Sequence, residues 1–242
     1  MLGVDVKFGR AVTEIFVIVA GVLIALGADS WWTDRQEVAE ESEILRAIEV
    51  DVARSQELLD RHFRRLESGL EALRILGEGV TGDAGSLDNA ALSEMLLVGL
   101  WDLGRMNVQM SAYEEIKSSG RLRLISDPEL RRSLAEYETS LTRARQREVE
   151  TVNHQQRIVD PYVIENVQIS QFADKVSSEW TESPTSLELE NLRLLLDDID
   201  FQNHIAAKYM IFYSWRNASV SVRDNLDELG DLVRARLIEV EP

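Results

Sequence analysis

The chain has no cysteine, four prolines and a marked shortage of positive charge, with 26 Lys and Arg against 43 Asp and Glu. Without cysteine there is no disulfide framework, no thiolate metal site and no cysteine nucleophile. Scarce proline, at Pro128, Pro161, Pro184 and Pro242, leaves room for long uninterrupted helices. A net charge of −17 argues against nucleic acid, whose phosphates require Lys and Arg, and against docking onto an anionic lipid surface. No glycine-rich phosphate cradle followed by Lys-Ser/Thr occurs, and no serine sits in a nucleophile elbow. No catalytic constellation emerges, so the expectation is a protein without enzymatic activity and without a cofactor or metal.

Against these absences stands one apolar run, Ile15–Ala28 (IFVIVAGVLIALGA), followed by Asp29-Ser30-Trp31-Trp32. Its uncharged part is about 14 residues, short for a bilayer crossing. Taken from Ala11 to Trp32 it reaches about 22 residues and rises on the order of 30 Å as a helix, at the cost of including Glu14 and Asp29. Trp31 and Trp32 suit a membrane–water interface, where an indole has one apolar and one wet side. A cleaved signal peptide would share the basic start and the small residues Ala25 and Gly27. Glu14 inside the run and a Trp pair at the mature start argue against it. A buried core helix is the third reading.

Lys7 and Arg10 precede the run, and an acidic stretch from Asp29 to Glu43 follows it with Arg35 as the nearby cation. The positive-inside rule therefore places the N-terminus in the cytoplasm and the body outside, in the periplasm of a Gram-negative cell. The expected division is residues 1–10 as a cytoplasmic tail, 11–32 as an inner-membrane single-pass helix, and 33–242 as an acidic extracytoplasmic domain.

No Gly or Pro occurs from Ala28 to Ser68, and apolar residues recur at sevens: Leu45, Val52, Leu59, Leu66, Leu73. Extended backwards the series gives Val38, Trp31, Ile24 and Val17. The spacing predicts one helix from the anchor into the body, to about Leu76. Gly77–Gly85 is a glycine-rich loop. A short helix is expected over 87–100, and another from Ser111, broken at Gly120. Ser126 and Glu129 suggest a capping box, with Pro128 in the first turn of a helix that ends before Pro161. Thr185 with Glu188 suggests a second box. Steps of three and four from Phe201 through Ile205, Tyr209, Phe212, Trp215 and onward to Leu237 predict a last long helix. The expected fold class is all-α: one N-terminal transmembrane helix continuing into an antiparallel extracytoplasmic helical bundle.

Within the anchor, Glu14, Ile18, Gly21, Ala25 and Ala28 share one helix face. Gly21 and Ala25 form a small-xxx-small pair that admits close approach of another helix, and Glu14 would pair with a donor there. The alternative is that Glu14 lies at headgroup level; a proton path would need groups one helix cannot supply. His62 and His154 read as helix-surface residues, and His204 lies beside the apolar stripe. Asp197, Asp198 and Asp200 read as helix caps rather than a calcium loop. Asn217-Ala218-Ser219 matches a glycosylation acceptor but falls in a helix. The stripe Phe201, Tyr209, Phe212, Trp215 reads as core before it reads as a ligand pocket.

Two stretches, Thr13–Trp32 and Tyr113–Tyr137 (YEEIKSSGRLRLISDPELRRSLAEY), carry a resemblance. Glu14-Ile15, Gly21, Ile24-Ala25-Leu26 and Trp31 in the first, and Tyr113, Glu114, Glu115, Lys117, Ser118, Ser119 and Gly120 in the second, resemble an uncharacterised family of bacterial single-pass membrane proteins, a domain of unknown function. The resemblance implies the anchor and the helical layout and no chemistry. With about ten residues expected inside the cell, there is no room for an output domain. The function expected is an accessory or scaffold subunit of a larger membrane complex, whether respiratory, photosynthetic, transport or secretion. Its partners are the lipid bilayer and an integral membrane protein, or self-association through the anchor. An extracytoplasmic ligand-binding sensor that signals through a membrane partner is the alternative.

Overall fold

The computed structural model describes residues 5–79, 82–101, 104–166 and 190–240, with side chains from Phe16 onward except those of Val17, Asn89 and residues 190–192. It is all-helical, with no strand among the described residues. The expected Thr185–Glu188 capping box lies outside them.

Helix α1, Asp5–Gly77, is a single helix of 73 residues, about 110 Å at 1.5 Å per residue. The predicted heptad positions Leu45, Val52, Leu59, Leu66 and Leu73 are all buried. Three residues after each come Ile48, Ser55, His62, Gly69 and Leu76, which complete an a/d seam. Each fully buried leucine on it contributes about 1.5–3 kcal/mol. Short helices α2, Asp83–Ser86, and α3, Asn89–Leu96, follow; α3 widens into a π-turn over Leu97–Trp101. Helix α4 is Ser111–Ser118, with a 3₁₀ turn at Arg121–Leu124. Helix α5, Pro128–His154, passes through a second π-turn, Gln155–Val159, into α6, Asp160–Asn166. Helix α7 is Glu190–Asp197 and α8 is Ile199–Val240.

Helix α8 is the spine of the bundle. It runs antiparallel to α1: Arg236 meets Glu41, Asp227 meets Gln56, Ser219 meets His62 and Phe212 meets Gly69. A Cβ at Gly69 would lie 3.2 Å from the Phe212 ring, so glycine makes room for the largest side chain opposite it. On its other side α8 is antiparallel to α5, through Asn225 to the Glu136 carbonyl and Lys208 to Gln155. The segment between α1 and α5 docks on α1, where the Asp51 carboxylate accepts from the Ala112 and Tyr113 amides at 2.7 and 3.4 Å and caps α4.

The structure departs from the sequence reading in four places. The chain stays helical through Pro161. The preceding π-turn shifts the hydrogen-bond ladder where proline lacks a donor, so the helix is deformed rather than ended. The cap of α5 is Asp127, which accepts from Glu129 N at 2.7 Å, while Ser126 is used elsewhere. His62 is 3% exposed and belongs to the core, because it falls on the seam three residues after Leu59. Finally, among the described residues no helix is long and apolar enough to cross a membrane. The expected span begins at Ala11, and the side chains of residues 11–15 and of Val17 lie outside those described.

Candidate functional site

The seam that is buried from Leu45 to Leu76 is bare below it. Ile24 is 73% exposed, and Trp31 and Val38 are exposed with it. The exposure covers every side of the helix: Phe16, Ile18, Val19, Val22, Leu23, Leu26 and Trp32 spread around the full turn. A helix that is apolar all round is stable only when something covers it, whether protein or lipid. Among the described residues nothing does.

The residues expected to form a helix contact lie in this segment. Ile18, Gly21, Ala25 and Ala28 are all exposed, and a Cβ added at Gly21 would meet no atom within 4 Å. Glu14 lies in α1 with its side chain outside those described. The opposite face, Val19 and Leu23, is equally bare, so exposure alone does not single out the small-residue face. Trp31 and Trp32 are exposed where the charged residues begin, and the Arg35 guanidinium lies 5.7 Å from the Trp31 ring centre. Beside them, Trp31, Arg35, Val38, Arg236 and Val240 line an open groove of about 870 Å³ between α1 and the end of α8.

Where α1 leaves the bundle, three elements are tied together. Glu41 is 3% exposed. Its carboxylate accepts from Arg236 Nη2 at 3.0 Å and Nε at 3.3 Å, from the Ser126 amide at 2.8 Å and from the Ser126 hydroxyl at 3.0 Å. Arg236 Nη2 also donates to Ser126 Oγ at 2.6 Å. Burial alone would push the Glu41 carboxyl up; the hydrogen bonds from Arg236 and Ser126 outweigh it and hold the group below the usual carboxylate range. The clamp fixes the angle at which the bare part of α1 departs.

The Tyr113–Gly120 stretch acts as a staple between α4 and α5. The Tyr113 hydroxyl donates to Glu138 Oε2 at 3.0 Å, and Lys117 pairs with the same carboxylate. Gly120 has φ +73°, the left-handed region that favours glycine, and turns the chain out of α4.

A third polar centre joins the two π-turns. Lys208 on α8 is buried and donates to the Leu100 carbonyl of the first π-turn and to Gln155 Oε1, at 2.7 Å, of the second. A π-turn leaves carbonyls out of register with their amides, and the ammonium satisfies one of them. His154 and His204 flank this centre, half-buried, with the His204 ring 4.7 Å from that of Tyr162. No group of three or more His, Asp or Glu among the described residues is placed to hold a metal ion.

Asp198 accepts from the Asp200 and Phe201 amides at 2.7 and 3.3 Å, the capping role read from the sequence. Phe201, Phe212 and Trp215 are buried core residues, while Tyr209 of the same stripe is half-buried and lines a shallow apolar groove with Ile205 and Met210. Ser219, in the glycosylation-like triplet, is fully buried inside α8. The clamp was not visible in the sequence, since its members lie as far as 195 residues apart. No family model, curated protein or solved structure matches this chain.

Proposed function

We propose that this protein is a non-enzymatic accessory or scaffold subunit of a larger membrane complex, held in the inner membrane by the first part of α1. The observation that carries the reading is the all-round exposure of apolar side chains from Phe16 to Trp32 on a helix continuous with the bundle. Lipid would cover that surface, with the Trp pair at the interface and the acidic body outside. The resemblance of Thr13–Trp32 and Tyr113–Tyr137 to single-pass membrane proteins agrees with this. The rigid clamp at Glu41 suits a subunit that must present its bundle at a fixed height and angle to a partner.

Orientation follows from Lys7 and Arg10. Protease added to spheroplasts is expected to digest the body and spare a tag at Met1. Digestion only after the inner membrane is opened would reverse the topology.

The partner helix is expected on the Glu14–Gly21–Ala25 face, because lipid offers no hydrophobic drive for two apolar helices to meet and close approach needs small side chains. Gly21→Leu should leave membrane insertion intact and cut co-purification of the partner, while Val19→Leu on the other face should not. Equal recovery from both variants would move the contact to the bundle.

A further inference from the structure

The a/d seam of α1 does not stop where the bundle does. Glu41 occupies a d position, seven residues before Ile48, and Asp34 stands seven residues before Glu41. The two carboxylates therefore face the same way along the helix. Glu41 is met by Arg236 of α8, the helix that lies alongside at that level. Helix α8 runs to Val240, one turn further on, and Asp34 makes no hydrogen bond or ion pair among the described residues. Trp31 and Val38, the a positions on either side of Asp34, are 59% and 42% exposed.

Asp34 and Val38 line the open groove toward α8 and also a second groove, of about 440 Å³, toward the 3₁₀ turn, where Arg123 and Leu124 form the far wall. Arg236 lines both, so each groove ends at the clamp. A helix laid on the seam between them would meet the clamp end-on, in line with α8. Lipid does not fit this place. With the Trp pair at the interface, Val38 lies six residues beyond Trp32, about 9 Å further out and past the acyl chains. A second copy does not fit either. Two copies inserted in the same sense would pair in parallel, d against d, and set Asp34 against Asp34.

We propose that a helix of the membrane partner docks on Trp31, Asp34 and Val38 and presents a Lys or Arg to Asp34, as α8 presents Arg236 to Glu41. Apolar side chains one turn to either side of that cation cover Trp31 and Val38. This chain does not supply the cation itself: Arg35 lies over the Trp31 ring, Arg123 stands on the far wall of the second groove, and neither forms an ion pair with Asp34. The contact names the partner's chemistry and rests on the reading of the protein as a membrane subunit. It lies about a third of a turn round α1 from the Gly21–Ala25 face and is a separate surface.

The test uses the full chain in its native membrane. The photo-crosslinking residue p-benzoylphenylalanine replaces Val38, or Gln36 on the opposite side as a control, and the adduct is mapped by mass spectrometry. Val38 should yield an adduct and Gln36 should not. The captured peptide should belong to a helix of another membrane protein, with a Lys or Arg within one turn of the adduct. Asp34→Asn should keep the parent Tm, because Asp34 is exposed, and should cut the adduct by about tenfold or more, as when one member of an interfacial charge pair is removed. Asp34→Arg should cut it likewise, and replacing the partner's cation with Asp should then restore it. An adduct with a second copy of this chain, no adduct at Val38, or an undiminished adduct from Asp34→Asn would each overturn the contact. If the partner still co-purifies in those cases, the subunit reading survives without it. If no membrane protein co-purifies with the parent chain, the subunit reading falls and the contact with it.

Discussion

Arg236→Met is expected to destabilise the protein by about 3 kcal/mol, measured by urea unfolding at pH 7. The cause is what it leaves behind rather than what it removes. Glu41 is almost wholly buried, and its charge is tolerated because Arg236 and Ser126 surround it with donors. Breaking a buried pair from one side costs about 3–5 kcal/mol, because a charge then lies in low dielectric without its partner. The lower figure applies here, since the Arg236 side chain keeps 22% of its surface exposed and water can follow the cavity inward. The double change Glu41→Leu with Arg236→Met should regain most of the loss, as apolar replacements of buried pairs often do. A single variant within about 0.5 kcal/mol of the parent would mean the clamp is solvated and orients nothing. The Glu41 carboxyl is held below its ordinary range. Its contribution is therefore complete above the unfolded value near 4.5 and disappears as pH falls through the folded one.

The long helices were legible because they repeat. Five leucines and valines at sevens between Leu45 and Leu73 marked the seam of α1, and the stripe from Phe201 to Leu237 marked α8. The second half of the α1 seam was not legible, because three of its five positions are Ser55, His62 and Gly69. Polar and small residues do not register as an apolar repeat, yet each is buried by its place three residues after an apolar one. Counting the heptad forward from Leu59 would have found His62. Pro161 signals a helix end because proline ends a regular α-helix, and nothing local announces the π-turn that accommodates it. The bare segment from Phe16 to Trp32 was the part of the candidate site that sequence could give, since it rests on composition alone. The Glu41 clamp depends on contacts between distant elements, and no spacing encodes those.

His62 should make the protein lose about 3 kcal/mol of stability between pH 7 and pH 4, beyond what its carboxylates account for. Its Nε2 lies 3.1 Å from Ser219 Oγ. The Ser219 hydroxyl spends its proton on the Trp215 carbonyl at 3.0 Å, so it accepts from His62 and the imidazole is the neutral Nε2–H tautomer. The Trp215 ring lies 4.8 Å away and closes the pocket. Burial, with a smaller push from Arg65, lowers the imidazole from 6.5 to about 4. The unfolded chain therefore takes up a proton across this window while the folded chain does not. Stability is full above 6.5, falls as pH drops from there to about 4, and levels off below. His62→Gln keeps an N–H to donate to Ser219 and cannot titrate. Its unfolding free energy, followed by urea melts from pH 7 to pH 4, should fall by about 3 kcal/mol less than that of the parent. Parallel curves for the two proteins would show that the imidazole charges freely in the folded state, and that water reaches it between α1 and α8.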